Sequence, residues 1–209
     1  MSRADRASQL EKAIQGLRSL VMDGSVPPGA RLSETALADR LGISRTPIRQ
    51  AMDRLVAEGL LERIETGGCR VALLTRADIA DAIELRGVIE GTAARLAAER
   101  GAPPEGLAEA RGHLDRIDAA LAAAGGVDFD AYVAANAGFH ATLARLPGSA
   151  VIAREVARVC LLPLASPSSF LAGQEAIPDF RASLARAQAQ HRAIVEAIEN
   201  REGARAESL

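Results

Sequence analysis

The stretch "GISRTPIRQAMDRL", residues 42–55, decides the fold because it begins with a turn and continues as an amphipathic helix. Its apolar side chains recur at the spacing of one helical face and comprise Ile48, Met52 and Leu55. This spacing predicts that the face packs into a core. On the other side, Arg45 and Arg49 are four residues apart and share a face of their own. The segment thus predicts a helix that buries one side and presents arginines on the other.

The first turn of this helix collects groups suited to DNA. Ser44 and Thr46 carry short hydroxyls, and the free backbone amides at a helix start favour a phosphate. Pro47 stands where its missing N–H costs least. Arginine is the usual bidentate reader of guanine, so Arg45 and Arg49 are candidates for base contacts in the major groove. A surface helix with solvated arginines is disfavoured, because these groups fall together just after a turn.

The flanking sequence completes a DNA-binding plan. Apolar periodicity predicts a helix over about residues 6–23. A second helix is predicted in "LSETALADRLG" (32–42), with Ser33 as its N-cap and Gly42 as its stop. "LLERIETGGCRVALL" (60–74) alternates around a Thr-Gly-Gly turn, which predicts a β-hairpin. Helix, helix, turn, helix and a two-stranded wing form the winged helix-turn-helix plan.

From Asp78 onward nearly every segment has a helical pattern. The predicted helices cover roughly 78–100, 104–124, 128–146, 149–164 and 179–201, with Pro-containing breaks between several of them. A further short helix would begin after Gly203. We therefore predict a mainly α protein, with an N-terminal winged helix-turn-helix domain (residues 1–75) followed by an all-α antiparallel helical bundle (residues 76–209).

Composition narrows the class of protein. The chain is 48% hydrophobic and 25% charged, and no apolar run approaches the ~18 residues of a membrane span. The first residues lack an apolar secretory segment, so we expect a soluble, cytoplasmic protein with no membrane partner. Cys69 and Cys160 lie far apart, which argues against a disulfide framework. The first 128 residues contain no aromatic side chain, so they offer no stacking platform for single-stranded nucleic acid.

The run "PPGARLSETALADRLGISRTPIRQAMDRLVAEGLLE" (27–62), with the wing "TGGCRV", closely resembles the N-terminal domain of GntR-family bacterial transcription regulators. The residues that this resemblance places at a double-stranded DNA operator are Thr35, Ser44, Arg45, Thr46, Arg49 and Gly68. The two arginines would contact bases, and the three hydroxyl residues would mainly contact phosphates. The glycine, in the wing turn, would lie at the minor-groove side.

The second half resembles the FCD effector domain of the FadR-type branch of that family. The resemblance rests on "DIADAIELRGVIEGTAARLAAE" (78–99) and "AQHRAIVEAIENRE" (189–202), and it is weaker per residue than the DNA-binding match. Counting the helix predicted after Gly203 gives six helices, which is more similar to the VanR subgroup. The resemblance implies a homodimer that responds to a small carboxylate metabolite.

A metal site is one interpretation of three polar residues in this half. Asn136 and His140 are four residues apart and share a helical face. His191 falls on the apolar stripe of a later helix. Inward histidines and oxygen ligands from two helices are how bundles build metal sites. The residues alone equally allow histidines that are satisfied within a core.

The resemblance favours the metal, because metal-binding FCD members use an Asp or Asn and three histidines. Asn136, His140 and His191 match three of these four ligands. The fourth, a histidine on the last helix, would fall a few residues beyond Leu209. His113 has polar neighbours that suggest a solvated face, so we do not expect it to be a ligand. Nitrogen and oxygen ligands suit Zn²⁺, Ni²⁺ or Mn²⁺ without choosing between them.

Arg86 is a candidate effector-binding residue. It stands four residues before Glu90 on an otherwise apolar helical face. A salt bridge within the helix would contribute only about 0.2–0.5 kcal/mol if exposed. A charged pair on an apolar face needs further partners, and since the family's effectors are often small carboxylates, Arg86 could bind one near the metal.

Together the two halves predict a transcription regulator that binds a palindromic operator as a homodimer and is released or modulated by a metabolite. Two alternatives stay open. A metal-dependent enzyme acting on a small organic acid would also use three ligands and an open position, but no acid, base or nucleophile motif accompanies them. A DNA-binding protein with no sensor function would leave Asn136, His140 and His191 unexplained.

Overall fold

The computed structural model describes residues 3–123, 126–162, 165 and 179–209. The helices of this part of the chain are α1 (Arg3–Met22), α2 (Glu34–Leu41), α3 (Arg45–Ala57), α4 (Arg76–Arg100), α5 (Pro104–Leu121), α6 (Phe129–Arg145), α7 (Ala150–Val159), α8 (Phe180–Glu199) and α9 (Gly203–Ser208). Its strands are β1 (Arg31–Leu32), β2 (Leu61–Arg63) and β3 (Cys69–Val71). The prediction of a mainly α protein with a small wing is confirmed.

The chain divides into two compact units between Ala80 and Asp81, and Leu161 and Leu162 group with the first unit. The predicted boundary between residues 75 and 76 lies a few residues earlier and stays a prediction. Each unit has a hydrophobic core of its own. In the described residues, no helix is both long enough and apolar enough to cross a membrane.

The helix-turn-helix is fixed by a cap and a turn. Ser33 precedes α2, and its hydroxyl accepts a hydrogen bond from the backbone N–H of Ala36 at 3.4 Å. Gly42 ends the helix with φ of 65°, in the left-handed region that glycine adopts without steric cost. The predicted N-cap and stop are therefore confirmed, and the chain turns directly into α3.

The apolar face of α3 is buried as its spacing predicted. Ile48, Met52 and Leu55 are all almost fully enclosed. They belong to the same core cluster as Leu17 of α1 and Leu37 of α2. Burial of each such side chain contributes about 1.5–3 kcal/mol, so these contacts stabilise the first unit.

The wing is a three-stranded antiparallel sheet with the order β1-β3-β2, one strand more than predicted. In its register Leu32 pairs with Cys69, and Leu61 pairs with Val71. The additional strand, β1, has only two residues, which is too short for an alternating pattern to reveal it. Gly67 and Gly68 both have φ near 90°, so the turn between β2 and β3 depends on glycine.

The predicted helices of the second unit are present, but α7 is shorter than predicted. It ends at Val159 instead of near residue 164, and residues 163 and 164 lie outside the described residues. A proline at position 163 of the sequence disfavours a helix that continues to residue 164, because proline cannot donate a helical hydrogen bond. From α4 to α9 the described residues of this half contain six helices, as counted from the sequence.

Helix α9 packs on α4 through a glycine. A Cβ built on Gly91 would lie 2.7 Å from the backbone oxygen of Glu207. Around this contact Arg95 forms an ion pair with the Glu207 carboxylate at 3.1 Å. The close approach of the two backbones therefore requires the absence of a side chain at position 91.

Gly91→Ala should destabilise the protein relative to Gly87→Ala. Both glycines lie within α4, but a Cβ at Gly87 meets nothing within 4 Å. Gly87→Ala should therefore stabilise the helix by roughly 0.5–1 kcal/mol. Gly91→Ala must displace the backbone at Glu207 and should be less stable than Gly87→Ala by about 1–3 kcal/mol. Denaturant unfolding of both variants measures the difference, and equal midpoints would contradict this packing.

Candidate functional site

The start of α3 presents its polar side chains to solvent. The exposed positions are Ser44, Arg45, Thr46 and Arg49, while Pro47 between them is buried. Ser44 is the N-cap residue, but its side chain makes no capping hydrogen bond. The hydroxyl therefore stays available to a phosphate, at the helix end where backbone amides favour negative charge. The geometry suits the DNA contacts predicted for these four residues, which stay a prediction.

Thr35 and Gly68 are also exposed, in the same unit as α3. Thr35 lies in the first turn of α2, and Gly68 lies in the turn between β2 and β3. Next to this turn Arg31 donates a hydrogen bond from Nη2 to the backbone oxygen of Gly67 at 2.7 Å. The sequence did not predict this contact, because Arg31 precedes α2 and is far along the chain from the wing turn.

Glu34 is a residue of this surface that the sequence analysis did not select. Its carboxylate accepts two hydrogen bonds from Arg49, from Nε to Oε1 at 2.9 Å and from Nη2 to Oε2 at 2.8 Å. Arg45 Nη2 lies 3.5 Å from the same Oε2. The hydrogen bonds from Arg49 lower the pKa of the Glu34 carboxyl. The available signal was an acid directly after the N-cap Ser33, which is also an ordinary helix-start preference.

Arg54, the third arginine of this stretch, pairs with a buried carboxylate of the same unit. Its Nε donates to Oε1 of Glu58 at 2.8 Å, and Arg18 donates to Oε2 of the same carboxylate at 2.6 Å. Glu58 is buried at the end of α3. A buried carboxylate needs such partners: Arg54 satisfies one oxygen within the same helix, and Arg18 links the end of α3 to α1.

In the helical unit, which begins at Asp81, His140 is a further partner of the Arg86–Glu90 pair. Arg86 Nε lies 3.1 Å from Oε2 of Glu90, the predicted contact within the helix. The other oxygen, Oε1, lies 2.8 Å from Nδ1 of His140. An ionised carboxylate only accepts hydrogen bonds, so Nδ1 carries the proton. The lone pair of a neutral His140 is then on Nε2.

A glutamine orients the second histidine in the same way. Gln188 Nε2 donates to the backbone oxygen of Leu114 at 2.9 Å and to Oδ1 of Asp118 at 2.8 Å. These bonds fix the amide so that Oε1 faces His191 Nδ1, at 3.3 Å. Because the amide oxygen is an acceptor, Nδ1 of His191 carries the proton. Both histidines thus have the tautomer that leaves Nε2 as the electron-pair donor.

The two imidazoles are neighbours on different helices. The ring centroids of His140 (α6) and His191 (α8) are 5.3 Å apart and nearly perpendicular. Burial, together with His140 and Arg86, lowers the pKa of His191 to about 3, so its imidazole is neutral at physiological pH. Asn136 is buried one turn before His140 on α6. The described residues contain no group of three or more His, Cys, Asp or Glu side chains arranged to hold a metal.

A cavity of about 180 Å³ adjoins these side chains. It is lined by Arg86, Glu90, His140, His191, Ala206 and Glu207, among others. Asn136 is not among its lining residues. Arg86 is anchored at this cavity, because its Nη1 donates to the backbone oxygen of Ala165 at 2.6 Å. The structure therefore brings together three of the four residues predicted for the metal and the effector.

The expectation that His113 lies on a solvated face is wrong. Its side chain is 15% exposed, and its ring packs directly against Gly138 of α6. Its Nδ1 lies 2.8 Å from Arg116 Nη2, which donates to it. Burial lowers the pKa of this imidazole. Gly138 permits the approach, and a glycine in the middle of a predicted helix was the signal in the sequence.

Two family models match the chain. Residues 9–71 match "Bacterial regulatory proteins, gntR family", and residues 81–209 match "FCD domain". The second match alone covers more than half of the chain. The two matched ranges correspond to the winged helix-turn-helix and to the helical unit.

Relatives with similar sequences are also transcription regulators. An uncharacterized HTH-type transcriptional regulator in the TAR-I ttuE-ttuC' intergenic region of Agrobacterium vitis is 34% identical over 66% of this chain and 80% of that protein. A probable D-xylose utilization operon transcriptional repressor of Paenarthrobacter nicotinovorans is 34% identical over 64% of this chain and 57% of that protein. The match thus spans only a little over half of the second relative.

Solved structures share the fold. E. coli McbR/YncC has a TM-score of 0.66 at 21% identity, covering 96% of this chain and 90% of that one. A putative transcriptional regulator GntR from Rhodococcus sp. RHA1 has a TM-score of 0.61 at 24% identity, covering 96% and 91%. The chain is a DNA-binding transcription regulator that belongs to the GntR family, in the FadR-type branch that carries an FCD domain.

Proposed function

We propose that this regulator binds a palindromic operator as a homodimer and is released or modulated by a small carboxylate near a divalent metal in its helical unit. The observation that carries the sensory part is the cavity where His140, His191 and Arg86 meet. The DNA-binding part rests on the exposed Arg45 and Arg49 at the start of α3.

Arg45 and Arg49 are proposed to read bases, and Thr35, Ser44 and Thr46 to contact phosphates. Gly68 is proposed to approach the minor groove from the wing. The support is the exposure of all six residues in one compact unit and the helix start at Ser44. A side chain at Gly68 would also strain a turn with φ of 90°.

Replacing Arg45 or Arg49 by Ala should cost about 1–3 kcal/mol of operator affinity and relax base preference at one position each. Arg54→Ala should cost less affinity but lower the unfolding midpoint, because Arg54 pairs with the buried Glu58. The operator is first selected from random duplex DNA with the wild-type protein, and binding is then measured by fluorescence anisotropy. Undiminished, equally selective binding by Arg45→Ala and Arg49→Ala would refute the groove assignment.

The homodimer is proposed because one winged helix reads few base pairs and the resemblance to FCD regulators implies paired effector domains. Sedimentation equilibrium should give about twice the 21.8 kDa of the chain. The selected operator should contain two half-sites related by two-fold symmetry. A stable monomer bound to one asymmetric site would contradict the proposal.

The proposed metal ligands are Asn136, His140 and His191, and the donor chemistry of the two histidines fits. Glu90 and Gln188 accept hydrogen bonds from Nδ1–H of the two imidazoles. Each Nε2 then carries a lone pair that a metal ion can bind. A carboxylate behind a ligating histidine is the usual second partner in such sites. Zn²⁺, Ni²⁺ and Mn²⁺ all accept this set of nitrogen and oxygen donors.

A small anion is the proposed effector because the cavity is small and the Arg86 guanidinium lines it. Its volume of about 180 Å³ lies below the ~300–1,000 Å³ of pockets for larger ligands. Arg86 is held beside it by Ala165 and Glu90, with donors of its guanidinium left over. A bound divalent ion would add positive charge, which favours a carboxylate over a neutral ligand.

His140→Ala should lose bound metal and the response to organic acids while keeping operator affinity, because the DNA-contacting residues belong to the other unit. Glu90→Gln should weaken metal binding by about 10–100-fold, since it removes the charge behind His140. Elemental analysis after dialysis against Zn²⁺, Ni²⁺ or Mn²⁺ measures the metal, and anisotropy measures the operator.

His113→Gln is the matched control, since it removes a half-buried histidine of the same unit that does not line the cavity. It should retain wild-type metal content. If wild type and His140→Ala contain equal amounts of metal, the metal site is refuted, and His140 and His191 are then core histidines. The alternative of a DNA-binding protein with no sensor function would then be preferred. The enzyme alternative is set aside, because the matched families and relatives are transcription regulators, which are not enzymes.

A further inference from the structure

A single carboxylate from α2 contacts both exposed arginines at the start of α3. Glu34 is about one quarter exposed, whereas the Arg45 and Arg49 side chains are each more than 60% exposed. The contact with Arg49 is bidentate, and the one with Arg45 is a single longer approach of 3.5 Å. The two arginines are therefore held unequally.

The bidentate contact uses one edge of the Arg49 guanidinium. Nε and one N–H of Nη2 point to Glu34. The remaining N–H groups belong to Nη1 and to the other side of Nη2, and they form the end-on edge of the same plane. Two N–H groups of this edge can donate to O6 and N7 of guanine, the bidentate contact by which arginine reads that base. Arg49 can thus keep Glu34 and contact a guanine at the same time.

We propose that Glu34 is a positioning residue for base recognition: it orients the guanidinium of Arg49 for guanine and offsets its charge toward phosphates. A free arginine side chain loses rotamer entropy when it binds a base, and a side chain already held by a carboxylate loses less. The hydrogen bonds with Arg49 are charge-assisted, which makes them stronger than neutral ones.

The charge of Glu34 acts on a different part of DNA binding. Non-specific binding to duplex DNA depends mainly on attraction between basic side chains and phosphates. A carboxylate beside Arg45 and Arg49 lowers that attraction for every sequence alike. Orientation favours the correct base and charge disfavours all other sites, so both effects raise the ratio of specific to non-specific affinity.

Glu34→Gln should lower this ratio by about tenfold or more, through weaker operator binding and tighter binding to a scrambled duplex. Base preference should relax chiefly at the position read by Arg49 and less at the position read by Arg45, because their contacts with Glu34 differ. Selection from random duplex DNA gives the preference at each position, and anisotropy against salt concentration gives the two affinities.

Two further variants separate the proposed effects. Glu34→Asp keeps the charge but is one methylene shorter, so it should lose base preference without tighter non-specific binding. Asp53→Asn is the matched control, because Asp53 lies one turn after Arg49 on α3 and bonds to Arg63, so the change removes a nearby charge but leaves the Glu34–Arg49 hydrogen bonds in place. It should tighten non-specific binding and leave base preference unchanged. Thermal unfolding of each variant establishes that it is folded.

The inference is overturned if Glu34→Gln and Glu34→Asp retain the wild-type preference at every operator position. It is also overturned if Asp53→Asn relaxes that preference as much as Glu34→Gln. This inference rests on the proposed base contact of Arg49. Arg49→Ala distinguishes a failure of that contact from a failure of the role proposed for Glu34. If Arg49→Ala changes no preference, the proposed base contact is wrong; if it does and the Glu34 variants do not, only the role of Glu34 is wrong.

Discussion

The burial of one face of α3 is the constraint on which the DNA-binding unit depends. Ile48, Met52 and Leu55 enter a core shared with α1 and α2, and this fixes the rotation of α3 about its axis. Arg45 and Arg49 lie beside this buried face at the exposed start of the helix, and their side chains extend into solvent. The position of the arginines is thus a consequence of apolar packing, and the buried Glu58 reinforces it by holding Arg18 and Arg54.

Much of this arrangement could be predicted because it depends on local rules. The Ser33 cap, the Gly42 stop and the buried face of α3 each follow from residue types at short spacing. The strand β1 could not be predicted in this way, because two residues carry no period and pair with a distant strand. The environment of His113 was mispredicted for a related reason: its polar neighbours along the chain gave no information about Gly138 on the next helix.

The helical unit shows the same division between local and long-range information. The spacing of Arg86 and Glu90 predicted their ion pair, and the apolar face around them predicted that more partners were needed. The identity of those partners depends on tertiary contacts, which place His140 of α6 and the backbone of Ala165 beside α4. Gln188 was likewise absent from the predicted site, because its role depends on Leu114 and Asp118 of α5.

The two oxygens of Glu90 have a consequence for how the cavity would sense more than one ligand. One oxygen contacts His140 and the other contacts Arg86, so both side chains share a single carboxylate. A ligand that breaks the contact of Glu90 with one of these side chains changes the strength of its contact with the other. Occupancy at the imidazole and occupancy at the guanidinium are then energetically linked, and linkage is reciprocal: each ligand changes the affinity of the other by the same factor. If the proposed metal and carboxylate bind there, the regulator would report on two chemical signals jointly.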